Sequence, residues 1–251
     1  MTAVDPQTVS ARLSVRKYDR VFYASISIAL AFTVFIGFGP TYYLRILHQT
    51  SMSTLSGGPM TLLVHVHALL FSAWVLLFIV QTVLIAQHKA AIHRRLGIVG
   101  GVLALLMVVV GTLTALKMAA RGSAPAGVDP QQFLMIPLSD MAFFGGFVAL
   151  ALLLRANREA HKRLMLLAYV CIVVAAVARL PGVLPLGPLG FFALAFLFIL
   201  AGALYDIASR SRVHPVYLWG GAILVISVPL RLAISGTEPW KIFALWAAAR
   251  V

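Results

Sequence analysis

Seven runs of about twenty apolar residues alternate with short polar connections along the chain. They fall at about Val21–Gly39, Thr61–Gln87, Leu96–Leu116, Phe133–Leu154, Leu164–Leu180, Leu189–Tyr205 and Val216–Ile234. A bilayer core about 30 Å thick needs roughly 20 residues of α-helix to cross it, so each run predicts one transmembrane helix. The expected fold class is an all-α polytopic membrane helical bundle with seven transmembrane helices: one leading helix plus three helical hairpins. This divides the chain into a cytoplasmic N-terminal segment (1–20), a transmembrane domain (21–234) and a C-terminal tail (235–251) at the interface. Trp240, Lys241, Trp246 and Arg250 anchor that tail. The polar residues before the first run, with no small-residue cleavage site after it, suggest an uncleaved signal anchor.

Composition agrees with this reading. Of 251 residues 61% are apolar and 11% are charged, far from the quarter or so of charged residues usual in soluble domains. Lys and Arg total 20 against 7 acids, a formal charge of +13. The basic residues cluster between apolar runs rather than on an aromatic-interleaved face, so no nucleic-acid partner is expected. With the N-terminus inside, thirteen of the twenty cations lie on the inner side and seven on the outer. That bias favours an N-terminus inside and a C-terminus outside. Turns are marked by Ser56-Gly57-Gly58-Pro59, Gly122-Ser123-Ala124-Pro125 and Pro181–Pro188. Cys171 is the sole cysteine, so neither an intrachain disulfide nor a thiolate cluster is available.

Three segments occupy equivalent places: KAAIHRRLG from Lys89, REAHKRLM from Arg158 and SRVHPVYLWGG from Ser211. Each ends one hairpin helix, opens the next, and carries one histidine there: His93, His161 and His214. Arg179 follows His161 by 18 residues, and Arg231 follows His214 by 17. Repeats of this kind often build sites between units; convergence of basic membrane loops is the competing explanation.

Two candidate sites follow. The second helix bears a seven-residue stripe of His67, Trp74, Gln81 and His88, which drifts only about 20° per step. The outer site gathers His65 or His67 with Asp140, Arg179 and Arg231 for a small anionic or carbonyl ligand, because charges in lipid are costly and usually pair or line a cavity. The alternative is an Asp140–Arg salt bridge with the other arginine snorkelling to the interface. The inner site gathers His88, His93, His161, Asp206 and His214, a donor set suited to a transition metal; the alternative is contact with lipid phosphate. A haem between two intramembrane histidines is disfavoured because only the second helix carries them. A haem at the inner boundary, or one using His48, stays open; covalent haem is excluded by the lack of CxxCH. No GxSxG, HExxH or phosphate-loop motif occurs, and the seventh run lacks the central lysine of a retinal Schiff base.

At HVHALLFSAWVLLFIVQTVLIAQHKAAIHRRLG, and again at HKRLMLL and RVHPVYLWGG, the chain resembles uncharacterised bacterial multipass membrane proteins that share an H…Q…HRxLG pattern. The resemblance implies a polytopic bacterial inner-membrane protein and assigns no activity. Three functions stay open: binding of a redox or metal cofactor, or quinone, through histidines at a membrane face; a carrier or receptor for a small anion; and an assembly subunit without catalysis. Membrane lipid is the one partner expected in all three.

Overall fold

The computed structural model describes the backbone of residues 6–45, 60–125 and 127–251, with side chains from residue 18 onward. Asp5, Arg12, Arg16, Lys17, His48 and the Ser56–Pro59 turn lie outside the described side chains or residues. No strand occurs among the described residues. The helices are α1 (Pro6–Phe38), α2 (Leu62–Ala86), α3 (Ala90–Ala120), α4 (Pro130–Leu153), α5 (Arg158–Val177), α6 (Gly187–Arg210), α7 (Pro215–Ser235) and α8 (Glu238–Ala248). A π-helical turn over Gly39–Tyr43 extends α1, and a short 3₁₀ turn over Leu184–Leu186 precedes α6. Seven of these segments are long and apolar enough to span a membrane. The chain is an all-α polytopic bundle, an integral multipass membrane protein.

Helix starts follow local chemistry. Asp129, Asn157, His214 and Thr237 each cap a helix by accepting a backbone N–H two or three residues on, which satisfies a donor the first turn leaves free. Proline sits in the first turn of α4, α7 and α8, where its missing N–H costs nothing. Several helices run past the expected apolar limits. The first begins at Pro6 rather than near Val21, and α3 begins at Ala90 rather than Leu96. Counting apolar residues finds the stretch that lipid covers, and a helix continues beyond it into its basic ends.

Successive helices are antiparallel neighbours, and α5 is the hub. It packs on α1, α4, α6 and α7. In its apolar stretch 72% of the residues are buried, against 11% in α2. Gly37 lies against the backbone carbonyl of Ala176, so any Cβ there would collide with α5. Gly220 of α7 leaves room for Leu167 of α5 in the same way. Large apolar side chains such as Leu69, Leu76, Ile98, Leu105, Trp219 and Ile226 point outward, as lipid contact requires. The last helix, α8, lies on α3 and α4. Trp240 Nε1 donates to the Gln131 carbonyl at 2.9 Å, and Ala244 is fully buried. The tail is thus held by protein as well as bearing interface anchors.

Candidate functional site

Three turns converge at one end of the bundle: Gln87–Lys89, Leu154–Asn157 and Ser211–His214. We call this the basic end. Its centre is an ion-pair network. Asp19 of α1 accepts from Lys162 at 2.7 Å, from Tyr205 at 2.8 Å and, through both carboxylate oxygens, from Arg210 Nη2 at 2.6 and 2.7 Å. Glu159 accepts from Lys162 and from Arg163, at 2.9 and 2.8 Å. Asp206 accepts from Arg163 Nε at 2.8 Å, from its Nη2, and from the His214 backbone N–H at 3.1 Å. Three cations and three carboxylates therefore neutralise one another across α1, α5, α6 and the turn before α7. Burying such charges is costly unless each is paired and hydrogen-bonded, and here each is.

This arrangement divides the expected five-residue metal set. Asp206 is committed to Arg163. His214 Nδ1 caps α7 by accepting from Val216 N–H at 3.2 Å. Burial, with the Arg163 charge nearby, holds its imidazole below the usual histidine range. His88 lies past the end of α2 with a φ of 63°, which takes it off the helical stripe, and its Nε2 accepts from Arg20. Among the described residues no group of three or more His, Cys, Asp or Glu is placed to hold a metal ion.

His93 and His161 remain together. Each is the fourth residue of its helix, α3 or α5. Their ring centres are 6.3 Å apart and nearly perpendicular, at 86°. Each ring also has a partner that sets its tautomer. His161 Nδ1 faces the Ala151 carbonyl at 2.7 Å, and a carbonyl only accepts, so Nδ1 carries the proton and Nε2 keeps a lone pair. The Gln81 amide is oriented by its surroundings: its oxygen accepts from Gly97 N–H at 3.1 Å, and its nitrogen donates to His93 Nδ1 at 2.6 Å. The neutral His93 ring therefore carries its proton on Nε2. One imidazole presents a donor and the other an acceptor, and both rings are half-buried rather than sealed.

The residues expected at the opposite end divide in two. Arg231 Nη1 donates to Asp140 Oδ1 at 2.6 Å, and both residues are buried. The guanidinium lies against the rings of Phe143 and Phe192 at 4.8 and 5.2 Å. This is the ion-pair alternative. Arg179 lies elsewhere, against α1. It donates to the Ala175 carbonyl at 2.6 Å and sits 4.5 Å from the Phe38 ring centre, with no carboxylate partner among the described residues. His67 stacks on Phe71 at 4.0 Å, and its Nδ1 is buried without a partner. His65 Nδ1 bonds to Tyr42 at 3.2 Å. Trp74 packs edge-on to Phe144 at 5.1 Å with its N–H unpartnered.

Sequence reasoning passed over the partners: Asp19, Glu159, Lys162, Arg163, Tyr205 and Arg210. A usable signal was present, since a chain with seven acids and twenty bases must use nearly every boundary carboxylate as an ion-pair centre. No protein-family model, curated protein or solved structure matches this chain.

Proposed function

We propose that this is a multipass protein of the bacterial inner membrane, N-terminus inside, that binds the head group of a lipid-soluble quinone at its basic end. The observation that carries the reading is the complementary pair of His93 and His161. A quinone carbonyl accepts from His93 Nε2–H. A quinol hydroxyl accepts there and also donates to His161 Nε2. Ring centres 6.3 Å apart leave room for one bridging oxygen at about 2.8 Å from each nitrogen. The excess of Lys and Arg at this end supports the orientation. The chain also belongs, on this reading, with the proteins that share the H…Q…HRxLG pattern, in which Gln81 hydrogen-bonds to both His93 and Gly97.

A photoreactive azidoquinone added to the purified full chain tests this. The label is expected on the first turns of α3 and α5, with His93→Phe and His161→Phe each lowering incorporation about tenfold, as loss of one hydrogen bond to a bound polar group implies. Labelling of both variants at the wild-type level, with each eluting as folded protein, refutes it.

A second reading rests on Arg179 and the buried, unpartnered His67 Nδ1: recognition of a small anion at the opposite end. Arg179→Gln with unchanged binding of radiolabelled monocarboxylates would remove it.

A further inference from the structure

Arg20 and Arg155 share an arrangement that the ion-pair network leaves unused. Each has no carboxylate partner among the described residues, and each stands at the rim of an apolar furrow on the outer surface of the bundle. The Arg20 furrow runs between α1 and α2 and is lined by Val21, Ala24, Ser25, Ile28 and Ala86. These α1 positions recur every three or four residues, so they form one face of the helix. The opposite face, with Ile26, Ser27 and Leu30, is buried. Ser27 and Thr82 hydrogen-bond at 2.9 Å behind the furrow and hold the two helices together. Ala24, Ser25 and Ala86 are small, and that is what hollows it. From Arg20 to Ile28 the helix rises about 12 Å, much of one acyl chain's depth into a leaflet.

The guanidinium is positioned as well as charged. Nη1 donates to His88 Nε2, which fixes the group while leaving its other N–H donors free. Asp19, the adjacent residue, is fully engaged by Lys162, Tyr205 and Arg210, so Arg20's charge is not cancelled locally.

We propose that the α1–α2 furrow is a specific site for an anionic phospholipid, with its phosphate on Arg20 and one acyl chain along Val21, Ala24 and Ile28. Charge complementarity selects the head group, since an arginine at a membrane surface attracts anionic lipid. The furrow supplies what diffuse attraction lacks, a wall along the chain.

The test is native mass spectrometry of the full chain released from nanodiscs of phosphatidylglycerol and phosphatidylcholine. Phosphatidylglycerol should be retained preferentially by the wild type. Arg20→Gln should lower that retention about fivefold, the effect of one cation at such a surface. Ala24→Leu fills the furrow, keeps the cation, and should lower retention comparably; a site for free phosphate would ignore it. Arg212→Gln removes a basic-end cation outside the furrow and should lower retention less than Arg20→Gln does. The proposal fails if Arg20→Gln and Ala24→Leu, both folded by melting temperature, lose no more lipid than Arg212→Gln.

Discussion

The Arg163 guanidinium grips the Asp206 carboxylate through two N–H donors, across 43 positions of sequence, with both side chains at 0% exposure. The pair joins α5 to α6 at the basic end. Its free energy is strongly asymmetric: the intact pair contributes little net stability, whereas removing one partner strands a buried charge.

Asp206→Asn should therefore destabilise the protein by about 3–5 kcal/mol, and Arg163→Met with Asp206→Leu together should recover most of that loss. Denaturant unfolding in detergent measures both. A double variant as weak as the single one would show that the pair does more than neutralise itself.

The Asp140–Arg231 pair predicts a similar rescue inside the apolar layer. An unpaired arginine there costs about 2.5–3.5 kcal/mol, so Asp140→Asn alone should reduce the yield of folded protein. Asp140→Asn with Arg231→Gln keeps a hydrogen bond without charge and should restore it. Size-exclusion recovery after extraction is the readout.

His214 predicts a pH effect of definite sign. Its imidazole is held below the ordinary histidine value, so the unfolded chain binds the proton more readily than the folded one. The stability it contributes is complete above about pH 6.5 and is lost as the pH falls below that. Protonation also removes the acceptor that caps α7. His214→Asn keeps a capping oxygen without titrating. Its melting temperature should fall less than wild type between neutral and mildly acidic pH.

Gln81→Glu tests the tautomer argument. A carboxylate accepts where the amide donated, which moves the His93 proton to Nδ1 and leaves both histidines presenting acceptors. Binding of a short-chain quinone analogue should weaken about tenfold, the worth of one hydrogen bond. Side-chain ¹⁵N shifts of His93 report the proton's position directly.

The seven spans were legible because lipid imposes one simple requirement, a stretch of apolar residues of fixed length. The second run, expected at Thr61–Gln87, is helical over Leu62–Ala86. The repeat was legible too: His93 and His161 take identical places in α3 and α5. His214, however, sits one turn earlier as a cap, because Pro215 begins the next helix. What periodicity does not carry is azimuth between helices. Arg179 and Arg231 look equivalent along the chain, yet one faces Phe38 of α1 and the other Phe143 and Phe192 of α4 and α6. The histidine pair was drawn within a larger set, since spacing gives depth and only packing gives neighbours.

The central position of α5 has a temporal consequence. During synthesis α1 and α4 enter the membrane before α5, the helix on which both pack. Until residues 158–177 are made, the glycine face of α1 at Gly37 and the inner face of α4 have only lipid to meet. The N-terminal half therefore waits with those two faces uncovered, and closure of the bundle is a late event. Truncation before α5 should yield a protease-sensitive product, where truncation after α7 leaves the centre occupied.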